Sequence, residues 1–232
     1  MITKSTLRTS RPTATHGITS RLALGAIVGP VAFTIAWLIL GALSPGYTLW
    51  GTVIAPYSAV HQPISGLGLG VTGPAMNTAF VLCGMILLAG VFGVVRSIPL
   101  NSACRRACIA LLGFTPIGMV ACGIFTLRSF FPHTLGFLLA AGAPVLAFAV
   151  TGFILRRVPT WRRLGTLLIL GSPLTLMLMV VYFATFTPTI AGIQTGVAGL
   201  TQRLLVIEVH AWFVAMGWWA VRQPRVAPSR HD

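Results

Sequence analysis

The basic residues of this chain are confined to a few places. All of its Lys and Arg except Arg128 and Arg203 fall in four short polar segments, separated by pairs of long apolar stretches whose own connections are nearly free of charge. Cations gathered on alternate loops are the positive-inside pattern of a polytopic membrane protein. The segments carry Lys4, Arg8, Arg11 and Arg21; Arg96, Arg105 and Arg106; Arg156, Arg157, Arg162 and Arg163; and Arg222, Arg225 and Arg230. The pattern predicts a multi-pass protein of the cell membrane with both termini in the cytoplasm.

The apolar stretches read as Arg21–Tyr47, Ala75–Val95, Cys104–Leu127, His133–Leu155, Arg163–Phe186 and Leu200–Val221. About 20 residues at a rise of ~1.5 Å each cross a hydrocarbon core of roughly 30 Å. The expected fold class is therefore all-α, with six transmembrane helices in one domain over residues 21–221. Basic cytoplasmic tails flank it at 1–20, expected to be disordered, and at 222–232. A chain that is 56% hydrophobic and 8% charged has no room for a separate soluble domain. Its net charge of +14 is spread over four juxtamembrane segments instead of one face. Membrane lipid headgroups, and not nucleic acid, are the expected partners. The Ser-, Thr- and Arg-rich first 20 residues also look like a targeting peptide. The apolar run behind them is too long and lacks a small-x-small cleavage site, so a retained first span is predicted.

Cys83, Cys104, Cys108 and Cys122 lie within spans two and three or at the predicted reducing side, and are expected to be unpaired, packed thiols. Pro30, Pro116, Pro144 and Pro173 fall inside four spans, where each loosens a helical turn and favours close packing or a cavity. Gly25 and Gly29 form a GxxxG face, and Ala140–Ala143 a small-residue patch, both suited to close helix approach. Gly29–Trp37 and Ala143–Phe153 are loosely alike, but the other spans do not support an internal repeat.

Polar residues that resist a simple explanation gather toward the predicted outer half. The first outer loop, Thr48–Pro74, has no formal charge, yet carries Trp50, Tyr57, His61 and several glycines. A loop this apolar is expected to lie on the membrane surface or fold back as a cap, with Trp50 and Tyr57 at headgroup depth. The second outer segment adds Arg128 and His133, and the uncharged third, Thr187–Gly199, leads into Gln202 and Arg203. Glu208, the only acid besides Asp232, sits in the last span. An ionisable group there costs about 2.5–3.5 kcal/mol unless it is paired or wet. At ~100° per residue Arg203 and His210 share one helix face, while Glu208 points roughly 160° from His210. Its partner is expected from another span or loop, with Arg128, His133 or His61 as candidates, unless it is protonated.

Three readings of these residues stay open. They could be hydrogen-bonding glue between helices, in a structural or partner-binding membrane subunit. They could line an outward pocket for a lipid-like or anionic amphipathic molecule, using His61, Ser65, Arg128, His133, Arg203 and Glu208, with the arginines supplying charge. They could form an intramembrane metal hydrolase in which His61, His133 and His210 bind zinc and Glu208 acts as base, although no HExxH-like spacing is present. Ser58 and Ser65 would need a base to act as nucleophiles; His61 is the one nearby in sequence, and a turn or capping role is preferred. No cofactor is indicated.

Tyr57-Ser58, Gln62-Pro63-Ile64-Ser65-Gly66-Leu67-Gly68, then Gly73 and Met76-Asn77, resemble the signature of the bacterial and archaeal membrane family known as domain of unknown function 998. His133 with Gly136, Trp161-Arg162, and Gly199-Leu200-Thr201-Gln202-Arg203 are similar as well. The resemblance implies a six-span membrane protein of a family without an established activity. Relatives often carry an acid where Gly66 stands, so a role needing a carboxylate in this loop is not expected here.

Overall fold

A computed structural model describes residues 21–186 and 195–222. The two basic tails, and residues 187–194 of the third outer segment, lie outside the described residues. Among the described residues, six helices are long and apolar enough to cross a membrane, which makes this a multi-pass membrane protein. They are α1 (Gly25–Leu43, continued back to Arg21), α2 (Gly73–Arg96), α3 (Ser102–Ile124), a broken fourth span of α4 (Phe130–Phe137) and α5 (Ala143–Leu155), α6 (Arg162–Thr185) and α7 (Ala198–Arg222).

The boundaries differ from the hydropathy reading where local chemistry intervenes. The first helix stops at Leu43, not Tyr47. Ser44 stands before Pro45, and a residue before proline is pushed out of the helical region. Helix α3 starts at Ser102 because the Asn101 side chain caps it, accepting the Cys104 N–H at 2.8 Å. The fourth span begins at Phe130, so His133 lies inside its first turn. Between α4 and α5, Leu138–Gly142 is wound as a π-helix just before Pro144. A wide turn there spares the helix the proline's missing N–H.

Small residues set the packing. A Cβ on Gly25 would lie 2.3 Å from the Ile86 carbonyl oxygen, and one on Gly29 2.8 Å from that of Cys83. The predicted GxxxG face is thus the seam of α1 against α2. The small patch of span four receives α3: a Cβ on Gly118 would sit 2.4 Å from the Ala140 nitrogen. The four cysteines are free, and Cys83, Cys108 and Cys122 are buried.

The loop between α1 and α2 is ordered and folds back onto the bundle. It opens with an antiparallel hairpin, β1 (Tyr47–Leu49) and β2 (Thr52–Ile54), in the register Tyr47↔Ile54. Its two-residue turn, Trp50 (φ 48°) and Gly51 (φ 82°), has both residues left-handed, as a tight hairpin turn requires. Two 3₁₀ turns follow, Ile64–Gly68 and Gly70–Thr72. Ile64 and Leu67 enter the main core, which α1, α2, α3, α5, α6 and α7 also fill. The expectation of a cap holds. Trp50 is exposed at the hairpin tip, whereas Tyr57 turns inward instead of lying at the surface.

Candidate functional site

The cap is held down chiefly by α7. Arg203, buried in the second turn of that helix, donates through Nη1 to the carbonyls of Ala59 (2.7 Å), Gln62 (3.0 Å) and Gly199 (2.8 Å). Its Nη2 donates to the Tyr57 hydroxyl, and the guanidinium lies 5.3 Å from the centroid of the Trp37 ring. One turn earlier, Leu200 N–H bonds the Val60 carbonyl at 3.1 Å, and Gln202 accepts the Ile64 N–H at 2.7 Å. A Cβ on Gly199 would come 2.3 Å from the Gln62 carbonyl oxygen, so this approach needs glycine. Burial pushes the Tyr57 phenol above its ordinary range, and the charge and hydrogen bond of Arg203 pull it part of the way back.

Beneath this clamp lies the constellation that sequence reasoning missed. His133, buried in the first turn of α4, directs Nδ1 at the Phe125 carbonyl (2.6 Å) and Nε2 at the Ser65 hydroxyl (2.9 Å). A carbonyl only accepts, so Nδ1 carries the proton. In a neutral ring Nε2 is then an acceptor, and the Ser65 hydroxyl donates to it. The partners are 68 positions apart, in a loop and a helix that meet only in the fold. His61, the base nearest in sequence, points elsewhere: its Nδ1 bonds the Gly196 carbonyl at 2.6 Å.

Ser65 borders a cavity of ≈ 40 Å³ under the cap. Phe33, Phe80 and Phe137 supply much of its apolar wall, with Gln202 and His210 as its other polar residues. His210 is buried edge-on to Phe33, with ring centroids 5.6 Å apart, and its Nδ1 has no hydrogen-bond partner. The same His210 borders a second space, an open groove of ≈ 520 Å³ between α1 and α7. Val31 and Ile35 form one wall of the groove, Ile207, Ala211 and Trp218 the other.

The remaining candidates are rearranged. Glu208 is not paired with Arg128, His133 or His61. Thr175 of α6 donates to both carboxyl oxygens at 3.0 Å, and Trp212, one turn along α7, donates at 2.5 Å. Threonine and tryptophan are neutral, so a search for a cation could not have found them. Arg128 is exposed and stands apart from the clamp. Arg203 is buried, and its Nη donors go to the cap and to the Gly199 carbonyl of its own helix. His61, His133 and His210 do not converge, and no group of three or more His, Cys, Asp or Glu side chains among the described residues could hold a metal ion. The three histidines of the zinc reading face different neighbours: His61 bonds a loop carbonyl, His133 a carbonyl and a serine, and His210 packs against the Phe33 ring.

Six membrane-crossing helices closed at one end by an ordered cap define a polytopic helical membrane protein. The family described as protein of unknown function, DUF998, matches residues 27–219, and the chain belongs to that family. No curated protein and no solved structure matches it. Seven of the motif residues gather in one place: Tyr57, Gln62, Ser65, His133, Gly199, Gln202 and Arg203 are the clamp and the serine–histidine contact beneath it.

Proposed function

We propose that the protein binds a lipid-like amphipathic molecule from the surrounding bilayer, its chain lying in the α1–α7 groove and its polar end reaching the capped cavity. The observation that carries this reading is the position of His210, which borders both spaces. The groove is apolar and opens on the side that hydrocarbon bathes, so an alkyl or isoprenoid chain satisfies it at no polar cost. The cavity offers the groups such a ligand needs at its other end: the Ser65 hydroxyl, the Gln202 amide and the unpartnered Nδ1 of His210. The His210 ring stands between the two spaces.

Neutral polar groups, not Arg128 or Arg203, contact the ligand in this reading, because Arg203 is committed to the cap. The arginine-poor capped end faces the outside of the cell membrane, and the arginine-rich end, with both termini, faces the cytoplasm. Native mass spectrometry in mild detergent tests the binding. The account expects a lipid-sized adduct on the wild type that is lost in Ala211→Trp, whose indole fills the groove. An adduct-free wild type, or an adduct retained in that variant, would overturn it.

A further inference from the structure

We propose that Ser65 and His133 form a nucleophile–base pair that cleaves an ester of an amphipathic molecule. Its substrate class rests on the binding reading above; the pair itself rests on independent geometry. Three features of an activated serine are present together. The hydroxyl is within 2.9 Å of an imidazole Nε2, the imidazole is oriented by a 2.6 Å hydrogen bond from its other nitrogen, and the serine borders a cavity. Here a backbone carbonyl does the orienting that a carboxylate does in the familiar triads. It fixes the same tautomer, with Nε2 free to take the proton.

A packing role alone would not require this arrangement. The other buried serine among the described residues, Ser172, donates to a backbone carbonyl, that of Val145 on the neighbouring helix, at 2.7 Å. Ser65 meets an imidazole instead, whose second nitrogen is already bonded. The cavity beside it holds roughly two or three water molecules.

The step balances as follows. Ser65 Oγ attacks the ester carbonyl carbon while its proton passes to His133 Nε2. The bond from the acyl carbon to the alcohol oxygen breaks, and the proton moves from Nε2 to the departing alkoxide. Water then attacks the acyl-Ser65 carbonyl carbon and gives a proton to His133 Nε2; the bond from the acyl carbon to Ser65 Oγ breaks, Nε2 returns the proton to Oγ, and a carboxylic acid leaves. The products are an alcohol and an acid, with no change of oxidation state and no metal.

Fluorophosphonates test the pair on the full-length protein in mild detergent. The serine oxygen bonds to phosphorus, fluoride leaves, and the proton goes to the base. A short-chain probe reads the pair whatever occupies the groove; a long-chain probe also reads the groove. The expected result is one adduct per chain, mapped by peptide mass spectrometry to Ser65, absent after prior unfolding, and slowed about 100-fold or more in His133→Gln. Mapping on the wild type alone decides the matter if that variant fails to fold. No adduct, an adduct elsewhere, or an unchanged rate in a folded His133→Gln overturns the proposal. Labelling of Ser65 by the short probe, without any retained lipid, supports the nucleophile and defeats the binding reading alone.

Discussion

At the scale of single residues, Arg203 and Glu208 are bonded to neutral partners. Arg203 places its Nη donors on three carbonyls and a phenol hydroxyl. Removing it strips four acceptors at once, so Arg203→Leu is expected to lower stability by about 3 kcal/mol or more. Arg203→Lys, which keeps charge but loses the fork, should fall between it and the wild type. Thermal unfolding in detergent measures both, and equal stabilities for all three proteins would refute the clamp. The Thr175 hydroxyl on Glu208 is a smaller matter. Thr175→Val should cost about 1 kcal/mol, the scale of hydrogen bonds between membrane helices. The sequence disclosed that Glu208 and Arg203 were expensive and lay on different faces of one helix. It could not disclose their partners, because carbonyls and a threonine carry no signal in composition, and contacts such as His133 to Ser65 span 68 positions.

At the scale of elements, hydropathy located the spans because 20 apolar residues have few other fates in a membrane protein. The ends were less legible: capping by Asn101 and termination before Pro45 are local effects that hydropathy averages away. The hairpin Tyr47–Ile54 went unseen because Tyr47 was read as the end of the first span and the rest as a loop, and its turn uses a left-handed tryptophan. The seam of α1 and α2, by contrast, was written in Gly25 and Gly29. Gly25→Leu would drive a side chain into the Ile86 carbonyl, and a loss of about 1–3 kcal/mol is expected from the overpacking. Gly66 tells a similar story in the cap. A Cβ there would lie 2.6 Å from the Tyr47 ring, so Gly66→Glu should displace Tyr47 and loosen the hairpin. Faster protease cleavage within the cap is the measurable outcome; unchanged cleavage would show that the loop has room to spare.

At the scale of the molecule, the proposed orientation rests on the distribution of the arginines. The exposed cap tip and the exposed Arg106 lie at opposite ends of the bundle. In a cysteine-free background, Trp50→Cys should react with an impermeant maleimide on intact cells, and Arg106→Cys only after the cells are opened. The reverse pattern would invert the topology. The larger claim is that a bilayer molecule enters between α1 and α7 and meets the capped cavity at His210. A photoactivatable lipid analogue incorporated into the membrane before irradiation tests it most directly, by mapping which peptides it marks. The account predicts marks concentrated on Pro30–Ile35 of α1 and Ile207–Trp218 of α7, and lost when Ala211→Trp fills the groove. Marks spread evenly over exposed apolar positions such as Phe153, Leu170 and Val180, unaffected by that substitution, would mean that the groove is ordinary lipid-facing surface and that the account is wrong.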